Sequence, residues 1–453
     1  MKTWLACART GARCTVALAM TAAFGTSVPA SAGDLDYRLG LGMGYSDNLG
    51  RRNDALKDDE NIATAGLRFA FDEDTRRLHA DVTGDVTYLD YLGDTYDSEL
   101  VGNVSADAAF SIIEDRFIWN VSDQWGQVAV DPFSPTSPEN RENINYLSTG
   151  PDVFFGLGPQ FRLGLGATYS LVDYEDEPLD SATTGGRVSL VRVLSDRSAL
   201  SLNGGVRDVT YDEEALDADY QQTEAYLEYR ANGARTNVLL DAGWSEVDRD
   251  AASDAQSGTL MRVNVSRRIS PSTILSLTGA REFTTTAGAF AVGQSSGIGS
   301  APTQQSASPF TNDRLSFTYD FFRHVTSLSL TANWSKQTYE DQASLDARMT
   351  ALGARWRRDL SPTMFLYVSA AYSKSEFPLE TRNFDSTAFG TGLSWRLSRS
   401  LSLSVRYDRE QRDSEEVLNR YTENRVLLSL EYGRGEPRST RNSPRFGIDG
   451  AAR

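Results

Sequence analysis

Residues 78–89, LHADVTGDVTYL, change character at every step. Leu78, Ala80, Val82, Val86 and Tyr88 fall on one side of an extended chain, and His79, Asp81, Thr83, Asp85 and Thr87 on the other. Strand side chains alternate faces with period two, so this segment has one apolar and one polar face. The pattern returns at LSLTANWSK (328–336), where Leu328, Leu330, Ala332 and Trp334 oppose Ser329, Thr331, Asn333 and Ser335. It returns again at LSLSVRYD (401–408), where Leu401, Leu403, Val405 and Tyr407 oppose Ser402, Ser404, Arg406 and Asp408.

Working outward, alternating segments of about ten residues fill the chain from Asp36 to Tyr432, about 20 of them, within a range of 16–22. The connections between them alternate in length. One set is short, as in FDEDTRR, GLGPQ, LSDRS, SPST and LSPT. The other is longer and acidic or Gly/Ser-rich: SDNLGRRNDALKDDE, QVAVDPFSPTSPENRE, DYEDEPLD, YDEEALDAD and the stretch from Thr286 to Pro309. Short turns at one rim and long loops at the other are the signature of a membrane barrel of hairpins. The expected fold is all-β: a transmembrane antiparallel up-and-down β-barrel.

A soluble sandwich or propeller also alternates. It is disfavoured because no blade-length repeat recurs and because the segments exceed the usual soluble strand of about 5–6 residues. Aromatics also gather near segment ends, at Tyr45, Tyr88, Trp125, Tyr169, Tyr211, Trp244, Tyr339 and Tyr372, as interfacial girdles require. Composition agrees. Hydrophobic residues make up 40 % and the mean hydropathy is −0.41, too low for a bundle of membrane-spanning helices.

The N-terminal segment 1–32 reads as a secretory signal peptide. Lys2, Arg9 and Arg13 precede the apolar run TVALAMTAAF, and Ala30-Ser31-Ala32 supplies a cleavage site near Ala32. The expected destination is the cell outer membrane. Both cysteines, Cys7 and Cys14, lie in this segment, so the mature chain is expected to hold no disulfide and no thiolate chemistry. The barrel is assigned to 33–432, with its first strand close to the cleavage site and no TonB-receptor-type plug domain before it. The remainder, 433–453, carries Arg434, Arg438, Arg441, Arg445 and Arg453 without alternation and reads as a flexible basic tail.

Net charge is −17, and the signal segment contributes only basic residues, so the mature chain is more acidic still. That excludes a nucleic-acid binder, which needs clustered Lys and Arg. With only His79 and His324 and no mature Cys, neither a metal site nor a triad is expected. Gly293-Gln294-Ser295-Ser296-Gly297 matches G-x-S-x-G, but without the strand-to-helix elbow that motif needs. The acidic clusters around Asp173 and Asp212 lack the fixed spacing of a calcium loop. No catalytic residue, metal or cofactor is assigned, and the protein is not expected to be an enzyme.

The polar faces carry the information. Arg68, Asp81, Asp85, Glu228, Asp241, Arg262, Arg314, Asp320, Arg355, Arg396, Arg406, Arg425 and Glu431 are the expected lumen-lining residues. They are there to pair across the wall or to contact solutes. A lumen of mixed sign suits neutral or zwitterionic sugar chains. The long stretches near Asp131 to Glu142 and Thr286 to Pro309 are candidate constrictions.

GYSDNLG (44–50) resembles the "YxDN" opening of an outer-membrane β-barrel family associated with PEP-CTERM/exosortase and exopolysaccharide systems, β-barrel porin 2-like. The resemblance continues through VDPFSPTSPENRENINYLSTGPDVFFGLGP (130–159), GATYSLVDYEDE (166–177), NGGVRDVTYDEE (203–214) and GWSEVDRD (243–250). It implies a passive channel or accessory for export of exopolysaccharide or another envelope polymer. Its partners would be outer-membrane lipid, lipopolysaccharide, and a polysaccharide or export complex. The alternative is a structural or docking barrel with a blocked lumen, whose acidic loops bind surface components. The resemblance carries no catalytic residues, and the basic tail departs from it.

Overall fold

The computed structural model describes residues 33–213, 219–249, 255–296, 306–339, 342–380 and 382–434. The signal segment 1–32 lies outside the described residues, as does the tail beyond Arg434. Twenty strands follow in chain order. They are β1 (Asp34–Ser46), β2 (Glu60–Asp74), β3 (Leu78–Tyr91), β4 (Glu99–Ile113), β5 (Phe117–Val128), β6 (Glu142–Gly156) and β7 (Phe161–Tyr174). Next come β8 (Ser181–Ser195), β9 (Ser198–Tyr211), β10 (Tyr220–Asn232), β11 (Thr236–Arg249), β12 (Gln256–Ser270), β13 (Thr273–Thr284) and β14 (Phe310–Arg323). The last are β15 (Thr326–Thr338), β16 (Ala347–Ser361), β17 (Met364–Glu376), β18 (Phe384–Arg396), β19 (Leu401–Ser414) and β20 (Tyr421–Arg434). Among the described residues one α-helix, α1 (Thr286–Ser296), interrupts the connection from β13 to β14.

Each strand pairs antiparallel with the next, and β1 pairs with β20 from Tyr37↔Arg434 to Ser46↔Arg425, so the sheet closes on itself. This is the expected up-and-down barrel. Closure leaves no edge strand, which a sheet in lipid requires because water is not there to satisfy a free edge.

The strands hold 12–15 residues rather than the ten read from alternation. A tilted crossing takes about 9–11 residues; the remainder continue past the hydrocarbon at the rims. The strand β20 likewise runs to Arg434, two residues beyond the expected barrel end.

Nine connections of two to four residues lie at the rim where β1 begins, and ten of six to 25 residues at the other. In a membrane barrel the short turns face the periplasm. His324 sits in one of them with φ 45°.

The register keeps the two faces separate. Leu39 lies opposite Leu67, and Leu41 opposite Ala65 and Leu430, all on the outside. Leu41 stays 67 % exposed and Leu202 59 %. A continuous exposed belt of this kind marks a surface made for lipid.

Buried apolar side chains gather at the long-loop end, in clusters such as Ile144, Val172, Tyr174, Leu179, Ala287 and Phe290, or Phe133, Phe377 and Phe384. Two aromatics assigned to the girdle belong here instead. The ladder places Tyr211 opposite Ser181, on the inner face, where its hydroxyl donates to the Ala307 carbonyl at 2.9 Å. Tyr339 is buried with Phe310 and Ala289. Trp125 is also buried, whereas Tyr45, Tyr88, Tyr169, Trp244 and Tyr372 remain exposed.

Candidate functional site

The candidate site is the inner face with the loops folded over one end of it. Following the ladder around the ring, Arg68 faces Asp85, Asp241 faces Arg262, Asp408 faces Arg425 and Gly40 faces Glu431, all on the side opposite the exposed leucines. The same parity puts all thirteen residues named from the sequence on that side.

Their surroundings differ by region. Across β9–β14 the charges form one connected network. Arg207 meets Glu224 at 2.6 Å, and Arg262 meets Glu224 at 3.6 Å, Asp241 at 3.7 Å and Glu282 at 2.6 Å. Arg314 meets Glu282 at 2.8 Å, and a separate pair, Arg230 and Glu228 at 2.9 Å, stands beside the network, Glu228 opposite Asp241. Side chains on adjacent strands sit close enough to pair directly, so alternation and strand register together assemble this ladder. Asp241 and Glu282 are nearly buried, so each depends on its arginine neighbours to offset lost hydration. Asp320 lies buried beside Ser329 on β15.

Elsewhere the pairs are fewer and wetter. Arg68 and Asp85 meet at 2.9 Å with both side chains nearly half exposed. Asp81 stands in a cross-strand row with Asp72 and Asp107. Arg38 reaches Glu431 at 3.5 Å, and Arg406 reaches Asp408 at 2.6 Å. Arg355 lies between Ser329 and Ser369, and Arg396 opposite Ser402. His79 sits on β3, its Nδ1 2.7 Å from Asp74.

A cavity of about 340 Å³ opens on the β15–β20 wall, lined among others by Arg355, Arg406 and Arg425. Of the three carboxylates that line it, Asp408 pairs with Arg406, and Glu410 and Glu423 are held by Arg51 at 2.7 and 3.0 Å. Arg51 comes from the β1–β2 loop and also donates to the Thr136 carbonyl at 2.8 Å, tying two loops to β19 and β20. Burial works against its charge, but Tyr421, Glu410 and Glu423 outweigh that and hold the guanidinium above its usual range. Sequence reading missed Arg51, Glu410 and Glu423. Alternation carried four residues beyond Arg406 would have found Glu410; nothing local marks Arg51.

In both expected constrictions the described residues, 131–142 and 286–296 with 306–309, fold inward, and 297–305 lie outside the described residues. From the β5–β6 loop, Phe133 packs on Phe377 with ring centroids 4.7 Å apart, and Arg412 donates to its carbonyl. The second, read as loop, contains α1. Thr285 caps that helix, its hydroxyl accepting from the Gly288 amide at 3.2 Å. Ala287 and Phe290 pack on Ile144, Val172 and Tyr174, while Ala289 packs on Phe310 and Tyr339. The helix is therefore wedged between the β6–β7 and β14–β15 sides. Gly293 to Ser296 fall at its C-terminal end, far from the strand-to-helix turn a nucleophile elbow requires, and Gly297 lies outside the described residues.

A family described as "Putative beta-barrel porin 2" matches residues 322–434, from the end of β14 through β20. No curated protein matches the chain. Among solved structures, a mutant ferric enterobactin receptor (PfeA) from Pseudomonas aeruginosa is similar over 89 % of this chain and 81 % of its own, at 9 % identity and TM-score 0.45. OccAB3 of Acinetobacter baumannii is similar over 88 % and 99 %, at 10 % identity and TM-score 0.36. A loop-deletion form of OmpT, an outer membrane protein of Vibrio cholerae, covers 89 % and 100 %, at 14 % identity and TM-score 0.34. At these scores the overlaps carry nothing about what this lumen admits.

Proposed function

We propose that this outer-membrane β-barrel is a passive channel, or channel-forming accessory, for hydrophilic solutes in the export of exopolysaccharide or another envelope polymer. The observation that supports it is the wall itself: twenty closed strands with leucines outside and charged and hydroxyl side chains inside. A sheet of about 16–18 strands already leaves room for an aqueous path, so twenty leave more unless something fills it. The export role rests on the family resemblance of GYSDNLG and the segments that follow it. The reading assigns no catalytic residue and no cofactor. Lipid and lipopolysaccharide surround the barrel, with a polysaccharide or export complex as partner.

A second reading has its own observation. Helix α1 and Phe133 occupy the long-loop end of the lumen, as a docking barrel with a blocked lumen and acidic binding loops would require. Single-channel recording of the folded protein in planar bilayers separates the two. Discrete conductance steps are expected of the channel. A silent wild type that stays silent after excision of α1 leaves the docking reading.

A further inference from the structure

We propose that the β15–β20 wall carries a binding subsite for an oxyanion borne on a sugar unit, carboxylate or phosphate. The proposal rests on the lumen being a path solutes enter. It narrows the solute class, which the mixed charge of the whole lumen had suggested to be neutral or zwitterionic.

The cavity is of ligand size: about 340 Å³, where small-molecule pockets begin at about 300 Å³. Its floor is close-set, with polar side chains leaning over glycines. Gly353 and Gly390 lie on it, and a Cβ at Gly390 would stand 2.6 Å from the Ser369 hydroxyl and 2.8 Å from the Asp408 carboxylate. Ser329, Thr331 and Ser369 add hydroxyls along the same wall, groups that exchange hydrogen bonds with a polyol.

Charge decides what binds there. Three inner-face arginines, Arg355, Arg406 and Arg425, line the cavity with three carboxylates, Asp408, Glu410 and Glu423; Arg409 also borders it but stands opposite the exposed Phe389, on the outward face, and is not counted here. Two of those carboxylates are engaged by Arg51 and one by Arg406. Counting Arg51, four guanidinium groups stand against three carboxylates, inside a chain whose net charge is −17. Arg425 makes no ion pair among the described residues. A guanidinium offers a planar fork of donors that matches a carboxylate or phosphate with two parallel hydrogen bonds. The adjoining wall, β9–β14, has arginines too, but its network spends them on Glu224, Asp241 and Glu282.

The test is calorimetric titration of the full folded protein in detergent at low salt with galacturonate, galactose 1-phosphate and galactose. At least one anionic sugar is expected to bind at least tenfold tighter than galactose. The Arg355→Gln/Arg425→Gln double variant should lose that margin, and Arg355→Lys/Arg425→Lys should keep part of it. The two anions tell carboxylate from phosphate preference. Equal binding of all three sugars, or an unchanged margin in the Gln double variant, overturns the proposal. If the double variant fails to show the folded, fast-migrating band, Arg425→Gln alone carries the same test. Titration needs no conductance: a silent barrel that discriminates the sugars retains the subsite and loses the channel reading.

Discussion

Two adjoining stretches of the lumen wall, β9–β14 and β15–β20, use the same residue types to opposite ends. Across β9–β14, arginines on β9, β12 and β14 are bound by carboxylates on β10, β11 and β13, and Glu282 bridges Arg262 and Arg314. Across β15–β20, glycine, alanine and serine separate the arginines, and a loop arginine takes up two of the carboxylates. A charge bound to its wall neighbour stiffens the wall and presents little to a solute. A charge beside a glycine, with its nearest carboxylates engaged elsewhere, is presented to the lumen. An inventory of inward arginines therefore says little until their partners are known.

The largest effect on this contrast should come from removing what fills the long-loop end of the lumen beside both walls. Replacing residues 286–296 by a short Gly-Ser linker takes away α1 and its contacts with Ile144, Tyr174, Phe310 and Tyr339. Single-channel conductance should rise several-fold, with barrel closure retained because all strand pairs remain. An unchanged conductance would mean that α1 does not limit passage and that both walls already face an open path.

The next test breaks the paired wall. Glu282→Gln leaves Arg262 and Arg314 facing each other without the carboxylate that joins them. Glu282 is 9 % exposed, so removing one partner of such a cluster should cost about 3–5 kcal/mol. The midpoint of the heat-dependent shift in gel mobility should fall accordingly. A midpoint within a degree or two of wild type would show this wall to be more hydrated than its packing indicates.

How far the sequence carried this picture follows from what alternation encodes. Alternation reports which face a residue occupies, so Arg262, Arg314, Asp408 and Arg425 could be put on one side with no knowledge of the fold. It does not report partners, because pairing depends on the register between strands, which the turns set. Nor does it reach the loops. TAGAFAV in α1 is a helix-forming, apolar run hidden at the head of a Gly/Ser-rich stretch, and its burial depends on Ile144 and Tyr174, far away in the chain. Tyr211 was misread through its position near a strand end, though its parity with Arg207 and Asn203 already placed it inward. Arg51 stands in a loop of ordinary mixed charge, and only the closing of β1 on β20 brings it to Glu423.

Arg51→Gln sharpens the contrast at the other wall. It releases Glu410 and Glu423 toward the cavity, changing four cations against three anions into three against three. The cation-to-anion permeability ratio, read as the reversal potential in a salt gradient, should shift toward cations. The shift should be roughly two- to fivefold, the equivalent of about 0.5–1 kcal/mol in wet surroundings. Loops held by the Thr136 contact should also become more sensitive to protease. No change in selectivity would mean that other groups compensate the two carboxylates.

The smallest effect is expected from the carboxylate beside the cavity, and its smallness is informative. Asp408 pairs with Arg406, whose side chain is 50 % exposed, so water screens the pair and already solvates the arginine. Pairs of this kind contribute about 0–1 kcal/mol. Asp408→Asn should therefore leave the mobility-shift midpoint nearly unchanged, in contrast with Glu282→Gln. Its effect should appear in selectivity, because it removes a negative charge facing Gly390 and releases Arg406 into the lumen. The reversal potential should move toward anions, opposite in sign to the Arg51→Gln shift. If Asp408→Asn instead destabilised the barrel as much as Glu282→Gln, the two walls would be alike in energetics, and their different residue spacing would not separate a supporting wall from a solute-facing one.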